Sequence, residues 1–219
     1  MKKASLVFLF LSVNFGIFAQ TGVIQEKSGV VEVKPPGAVS FLTATVGERL
    51  SRDTVISTGF RSFAVIEIGH TSIMVRPLTR LTLTEIQASA NEETLVVNLQ
   101  AGRVRVDVKP PAGTKTAMSI ISPSAVASVR GTSFEFDTRN LYVDSGTVSF
   151  MGNRGQSILV GAGANSRVES NAKVTSPLEV KTAGLLPSSP VGTEIATGIA
   201  SGPVRVGVPF TIGLIFAQE

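Results

Sequence analysis

The feature that most limits the folds open to this chain is alternation with a period of two. In Gly102–Lys109, "GRVRVDVK", Val104, Val106 and Val108 fall on one face and Arg103, Arg105 and Asp107 on the other. Leu81 and Leu83 alternate with Thr82 and Thr84, and Phe134 and Phe136 with Ser133 and Glu135. Val148 and Phe150 repeat the pattern in "GTVSF". Successive side chains of a strand point to opposite sides, so each run reads as a strand with one buried and one wet face. Gly, Pro, Asn and Ser punctuate the runs at short intervals, as turns require. Helical periodicity is nearly absent. Only Ile86–Glu93, "IQASANEE", has some helical character, and it is too short and polar to stand alone. The expected fold is all-β, either a short β-solenoid or a stack of two sheets.

A loose echo runs through the chain at irregular spacing: Gly29-Val30-Val31-Glu32-Val33, Gly102-Arg103-Val104-Arg105-Val106, Gly146-Thr147-Val148-Ser149-Phe150 and Gly202-Pro203-Val204-Arg205-Val206. A glycine ahead of alternating residues starts any turn-strand unit. It is also what stacked layers would show, and both readings stand at this point.

The ends differ in composition from the middle. Met1–Gln20 carries Lys2 and Lys3, an apolar run from Ala4 to Val13 broken at Asn14, and Ala19 before Gln20. That is the order of a secretory signal peptide, cut after Ala19, although Ile17 is larger than the small residue such sites prefer. An uncleaved anchor would need roughly 20 apolar residues. The expected organisation is a signal peptide at 1–19, an N-terminal segment at 20–28 and an all-β domain at 29–165. A trailing strand region at 166–184 follows, then a Gly/Ser/Pro-rich linker at 185–203 and an apolar strand at 204–219. Gly207, Pro209 and Gly213 argue against a helix in that last segment. It reads as a strand that docks at an edge, where Pro209 is tolerated, or one donated to a partner.

Inventory excludes most chemistry. There is no cysteine and one histidine, so no thiolate or His-rich metal site can be built. Export without cysteine fits a bacterial envelope, and the missing cysteine also excludes a lipid anchor on that residue. No Asp-x-Asp-x-Asp-Gly calcium loop and no Gly-x-Ser-x-Gly elbow is present. A Ser-His-Asp triad would have to use His70, which reads as the exposed tip of a hairpin between Ile66–Ile68 and Ile73–Val75. Glu67, Asp107, Glu135, Asp137 and Asp144 lie in or beside strands, where outward acids are usually just solvated. Neither an enzyme nor a cofactor is expected. The 20 Lys and Arg against 16 Asp and Glu become 18 against 16 once Lys2 and Lys3 are removed. No basic run with interleaved aromatics occurs, so nucleic acid is not an expected partner.

Two strand-like runs meet without a loop at Arg130-Gly131-Thr132, just before Phe134. Gly131 can take a positive φ at a corner, and Thr132 can hydrogen-bond locally. Arg130 either points to solvent or turns inward as a clamp on carbonyls or on Asp53 or Asp137. As a clamp, its loss would cost about 2 to 4 kcal/mol.

The ordered elements resemble the FecR-type domain of bacterial envelope proteins. They are "GVVEV" (Gly29–Val33), "VGERLSRDTVISTG" (Val46–Gly59), "SFAVIEI" (Ser62–Ile68) and "SIMVRPLTRLTL" (Ser72–Leu83), with Pro77 and Thr79 in the family's Pro-x-Thr place. "LQAGRVRVDV" (Leu99–Val108), Ser122-Pro123, "VRGTSFEF" (Val129–Phe136), "VDSGTVSF" and Gly161–Gly163 complete the set. The chain departs at Arg52-Asp53, where the family often has Gly-Asp, and at Gly69–Ser72, where it has Asp-Gly-Ser. Both are turns. The resemblance implies a non-enzymatic, all-β envelope domain. In the regulators that name the family, the domain reads the state of an outer-membrane transporter and passes the message through a membrane helix. This chain shows neither an internal membrane helix nor a cytosolic segment, so only the fold and a binding role are carried over.

The expected function is an exported interaction module, in the periplasm or at the cell surface, that recognises another envelope protein by turns and sheet edges. Candidate contacts are His70 and Thr71 in the hairpin turn, and Val204, Val206 and Phe210 in the last strand. A cell-wall or glycan-binding module is the alternative; it would need stacking aromatics, and Tyr142 is nearly alone in that role. A structural part in an envelope assembly is a third reading.

Overall fold

The alternating runs become strands, and the strands form two sheets laid face to face. A computed structural model gives the structure of the chain and describes residues 21–88, 92–153 and 155–177. The first nine strands are β1 (Gly22–Ser28), β2 (Val31–Lys34), β3 (Leu42–Thr43), β4 (Arg49–Leu50), β5 (Val55–Thr58), β6 (Phe63–Ile68), β7 (Thr71–Val75), β8 (Arg80–Ala88) and β9 (Glu92–Ala101). The next nine are β10 (Arg103–Val108), β11 (Lys115–Ile121), β12 (Ala125–Val129), β13 (Ser133–Asp137), β14 (Asn140–Ser145), β15 (Thr147–Gly152), β16 (Ser157–Gly161), β17 (Asn165–Val168) and β18 (Val174–Thr175).

Sheet A has the order β18-β17-β14-β13-β10-β7-β6-β1-β4, and sheet B the order β16-β15-β12-β11-β9-β8-β5-β2-β3. From β5 onward each sheet grows in chain order, because the chain crosses between sheets after every one or two strands and adds at the advancing edge. β9 and β11 run parallel because one sheet-A strand, β10, lies between them in sequence; the neighbouring pairs are antiparallel. The layered growth expected of a solenoid is therefore present, and its walls are two stacked sheets.

The inward half of the alternation fills the space between the sheets. Ile66, Ile73, Val104 and Phe134 from sheet A and Leu83, Val97, Ile120 and Phe150 from sheet B are all fully buried. The Phe136 and Phe150 rings meet edge to face across the gap, 5.8 Å apart at 79°. Each such side chain contributes about 1.5–3 kcal/mol by leaving water, so the core is built from packing and needs no disulfide.

Ile86–Ala88 end β8 and Glu92-Glu93 begin β9, so the described part of the stretch with some helical character is strand, in keeping with its being too short and polar to stand alone as a helix. Pairing of Ile86 with Leu95 across β8 and β9 outweighs the weak local preference. The expected boundaries at 29 and 165 do not bound the sandwich. β1, in the segment expected to precede the domain, lies inside sheet A between β6 and β4, and β17 and β18 extend the same sheet past residue 165.

The glycine echo marks the crossings. Gly29 joins β1 to β2, Gly102 joins β9 to β10 and Gly146 joins β14 to β15, each between sheets and each with positive φ (71°, 90° and 81°). Each is stacked on a second crossing that carries a buried hydroxyl: Ser62 before β6, Thr79 before β8 and Thr132 before β13. A Cβ on Gly29, Gly102 or Gly146 would lie 2.4, 2.3 or 2.8 Å from that hydroxyl oxygen, so only glycine lets the two crossings touch. The hydroxyls tie the stacked crossings together. Val30 N–H donates to Ser62 Oγ (2.9 Å), Arg103 N–H donates to Thr79 Oγ1 (3.0 Å), and Thr132 Oγ1 donates to the Thr147 carbonyl (3.2 Å). The fourth echo, at Gly202, lies outside the described residues.

Candidate functional site

Arg130-Gly131-Thr132 is one of three equivalent corners. Just ahead of the buried hydroxyls, Arg61, Leu78 and Gly131 take φ values of 52°, 56° and 64°. Gly131 holds without strain a conformation that Arg61 and Leu78 hold at a cost of about 1–3 kcal/mol each. Thr132 and Phe134 are buried. Arg130 is exposed, and none of the described residues forms an ion pair or hydrogen bond with its guanidinium. The inward clamp on Asp53 or Asp137 is therefore not formed: Arg130 follows the inward-facing Val129, so alternation turns it to solvent.

The hairpin turn at Gly69-His70 connects β6 to β7, with Ile68 opposite Thr71. His70 Nδ1 lies 3.0 Å from Glu93 Oε1, and the His70 backbone N–H and Thr116 Oγ1 donate to Glu93 Oε2 at 3.3 and 3.2 Å. Glu93 is buried on β9, so this turn of sheet A is fastened to sheet B. Thr71, expected as a contact residue, is buried and faces inward. Val204, Val206 and Phe210 lie outside the described residues, as does the signal sequence.

The concentration of charge lies elsewhere, on the outer face of sheet A. Arg76 follows β7, Arg103 and Arg105 stand on β10, Glu135 and Asp137 on β13, Asp144 on β14 and Arg167 on β17. Outward positions of adjacent strands become neighbours, so the arginines of β10 face the acids of β13. Glu135 receives Arg76 NH2 at 3.5 Å and Arg103 NH1 at 3.4 Å; Arg103 NH2 also lies 3.5 Å from Asp137. Arg105 pairs with Asp144, and Lys109 with Asp107. Arg167 Nε donates to Asn140 Oδ1 at 2.7 Å.

Asp137 anchors the β13–β14 turn. Its Oδ1 accepts the backbone N–H groups of Arg139 (2.9 Å) and Asn140 (2.7 Å). Burial opposes its charge, but these bonds, the Asn140 side chain and the Arg103 charge outweigh it and hold the carboxyl below its ordinary value. Asp107 is also held low: burial raises it, and Lys109, Ser133 and Arg105 together lower it further.

Two adjoining depressions lie on this face. One, of about 720 Å³, is bordered by Arg76, Leu78, Arg103, Glu135, Asp137 and Arg139. The other, of about 520 Å³, shares Arg103, Glu135 and Asp137 and adds Tyr142, Asn165 and Arg167. Both are open, and each is lined by ion-paired charges together with one arginine, Arg139 or Arg167, that forms no ion pair among the described residues. The acids bordering them are engaged by arginines or backbone N–H groups, and no cluster of three His, Cys, Asp or Glu able to hold a metal occurs among the described residues. The arrangement is suited to binding, with many fixed donors and acceptors.

Sequence reading placed Arg103 and Arg105 on the outward face and left Asp107, Glu135, Asp137 and Asp144 as solvated acids; it did not single out Arg76, Asn140 or Arg167. Alternation assigns a face to each residue but not its neighbour on the next strand, and the network depends on register: Arg103 opposite Asp137, Arg105 opposite Glu135, Asn140 opposite Arg167. The available signal was charge at successive outward positions, basic in Arg103-x-Arg105 and acidic in Glu135-x-Asp137.

Residues 54–149 match the family model described as FecR protein. Over that stretch the chain is similar to FecR proteins. The match holds all three buried corner hydroxyls, the charged strands β10 and β13, and the Val129–Phe136 signature. Two crystal structures, each of a candidate anti-sigma factor from Parabacteroides distasonis, are similar at 15% and 13% identity, with TM-scores of 0.47 and 0.46. Each comparison covers 55% of this chain and 57% of the other, so the likeness spans little more than half of those proteins. No curated protein matches the chain. No helix among the described residues is long and apolar enough to cross a membrane.

Proposed function

We propose that this chain is an exported, non-enzymatic, FecR-type binding module of the cell envelope and that its ligand is another protein. The observation that carries this reading is the outer face of sheet A, where the two adjoining depressions are lined by ordered charges of both signs. Ordered charges of both signs on a rigid sheet select a complementary protein surface and speed its encounter. The signal-like Met1–Gln20 and the absence of cysteine favour an exported location. Catalysis is disfavoured because Asp137, which borders both depressions, is held charged by backbone N–H groups, Asn140 and Arg103, which suits fixed recognition better than proton transfer.

Crosslinking of the tagged chain in intact cells, followed by mass spectrometry, tests the reading. One dominant envelope protein is the expected result. Sedimentation with purified cell wall and no protein partner would replace it with a glycan-binding role.

A further inference from the structure

We infer that the partner presents an acidic peptide segment whose carboxylates are held by Arg76, Arg103, Arg139 and Arg167 along the two depressions of sheet A, an inference that rests on the protein-binding reading above. Those four guanidiniums border the depressions together with two carboxylates, Glu135 and Asp137, a surplus of two positive charges. The existing pairs leave much donor capacity unused. Arg76 and Arg103 reach Glu135 only at 3.4–3.5 Å. Arg139 and Arg167 form no ion pair with any described carboxylate, and the Nε of Arg167 is spent on the neutral Asn140. Beyond Arg167, Glu169 accepts from Asn171 and pairs with neither arginine.

The chemistry of these donors selects the ligand. A guanidinium offers five N–H groups in a planar fork that matches a carboxylate with two parallel bonds. Glu135 and Asp137 stand between the arginines and would repel a dense polyanion, whereas a peptide with separated Asp or Glu side chains can place them on the arginines alone. Leu78, 62% exposed in the first depression, and Tyr142, 42% exposed in the second, offer apolar contact to the residues between the acids.

The test places a photo-crosslinking residue at Leu78, at Tyr142 and, as a control on the opposite sheet, at Leu159 in the full chain expressed in cells. The captured peptide is then sequenced. The expected result is capture from Leu78 and Tyr142 through a peptide with two or more Asp or Glu residues. Capture from these positions through a peptide without acids overturns the inference and leaves the binding reading intact, as does capture from Leu159 alone. Capture of no protein from any position overturns both. With the captured partner in hand, Arg139→Ala/Arg167→Ala should weaken binding by about tenfold or more at low salt, with little change in melting temperature because neither side chain forms an ion pair among the described residues and Arg167 loses only an exposed hydrogen bond to Asn140. Arg139→Lys/Arg167→Lys should recover part of the loss, since it restores charge without the fork. Equal affinity of the alanine variant overturns the inference, as does equal arginine-dependent binding of inorganic polyphosphate.

Discussion

The two outer faces of the sandwich rest on one core and follow one alternation rule, yet matching rows across them differ in surface chemistry. On sheet A one register row across β6, β7, β10, β13, β14 and β17 reads Val65, Met74, Arg105, Glu135, Tyr142, Asn165. On sheet B a row across β9, β11, β12, β15 and β16 reads Val96, Ser119, Ser128, Ser149, Leu159, with no charge. Small hydroxyls there bond to each other, as Ser119 does to Ser128 at 2.9 Å. Outward positions are nearly neutral for stability, so sequence is free to differ there.

If both faces share one core, breaking that core should remove them together. Phe136→Ala should cost about 3–5 kcal/mol, because it empties the place where the sheets meet. Urea unfolding should shift as a single transition; two separated transitions would show the sheets to be independent.

The crossings provide the next largest effect. Gly102→Ala should destabilise by about 3 kcal/mol, combining positive φ with overpacking. Its Cβ would lie 2.4 Å from Thr79 Cα and 2.7 Å from the Leu78 carbonyl oxygen. Gly113 has nearly the same φ, 89° against 90°, and open space around its Cβ position. Gly113→Ala should therefore cost only about 1 kcal/mol. Equal melting temperatures for the two variants would remove the stacked-crossing account.

Acid should distinguish the faces. Asp137 and Asp107 are held below their ordinary values in the folded state. Their contribution to stability is complete above the unfolded value, near 3.9, and is lost as pH falls through the lowered folded value. A melting curve of the parent against pH should thus fall below about pH 4, and Asp137→Asn should flatten that fall. Ser128→Ala, on sheet B, should leave its shape unchanged. A parent and an Asp137→Asn variant with identical acid limbs would refute the role assigned to Asp137.

The smallest effect is expected where a large one would follow from an inward arginine. Arg130→Ala should change stability by less than about 0.5 kcal/mol, as an exposed and unpaired side chain does. A loss of several degrees in melting temperature would return Arg130 to the fold.

Much of the fold was legible because alternation is local. Val104, Val106, Phe134 and Phe136 were assigned inward from their spacing alone, and they are buried. The glycine echo was legible as a pattern but not as a cause, since its meaning lies in contacts such as Gly102 with Thr79, far apart in sequence and touching in space. His70 was placed correctly at a hairpin tip, while its tie to Glu93 depends on the other sheet and left no local trace.

What the sequence determined by itself, then, is which side of each strand faces the core and where the chain can turn, because both follow from backbone geometry within a few residues. The tertiary structure decided which strands lie side by side. Only that pairing turns isolated outward residues such as Arg103, Glu135, Asn140 and Arg167 into one charged surface, because charges interact through distance in space and alternation does not encode distance between strands.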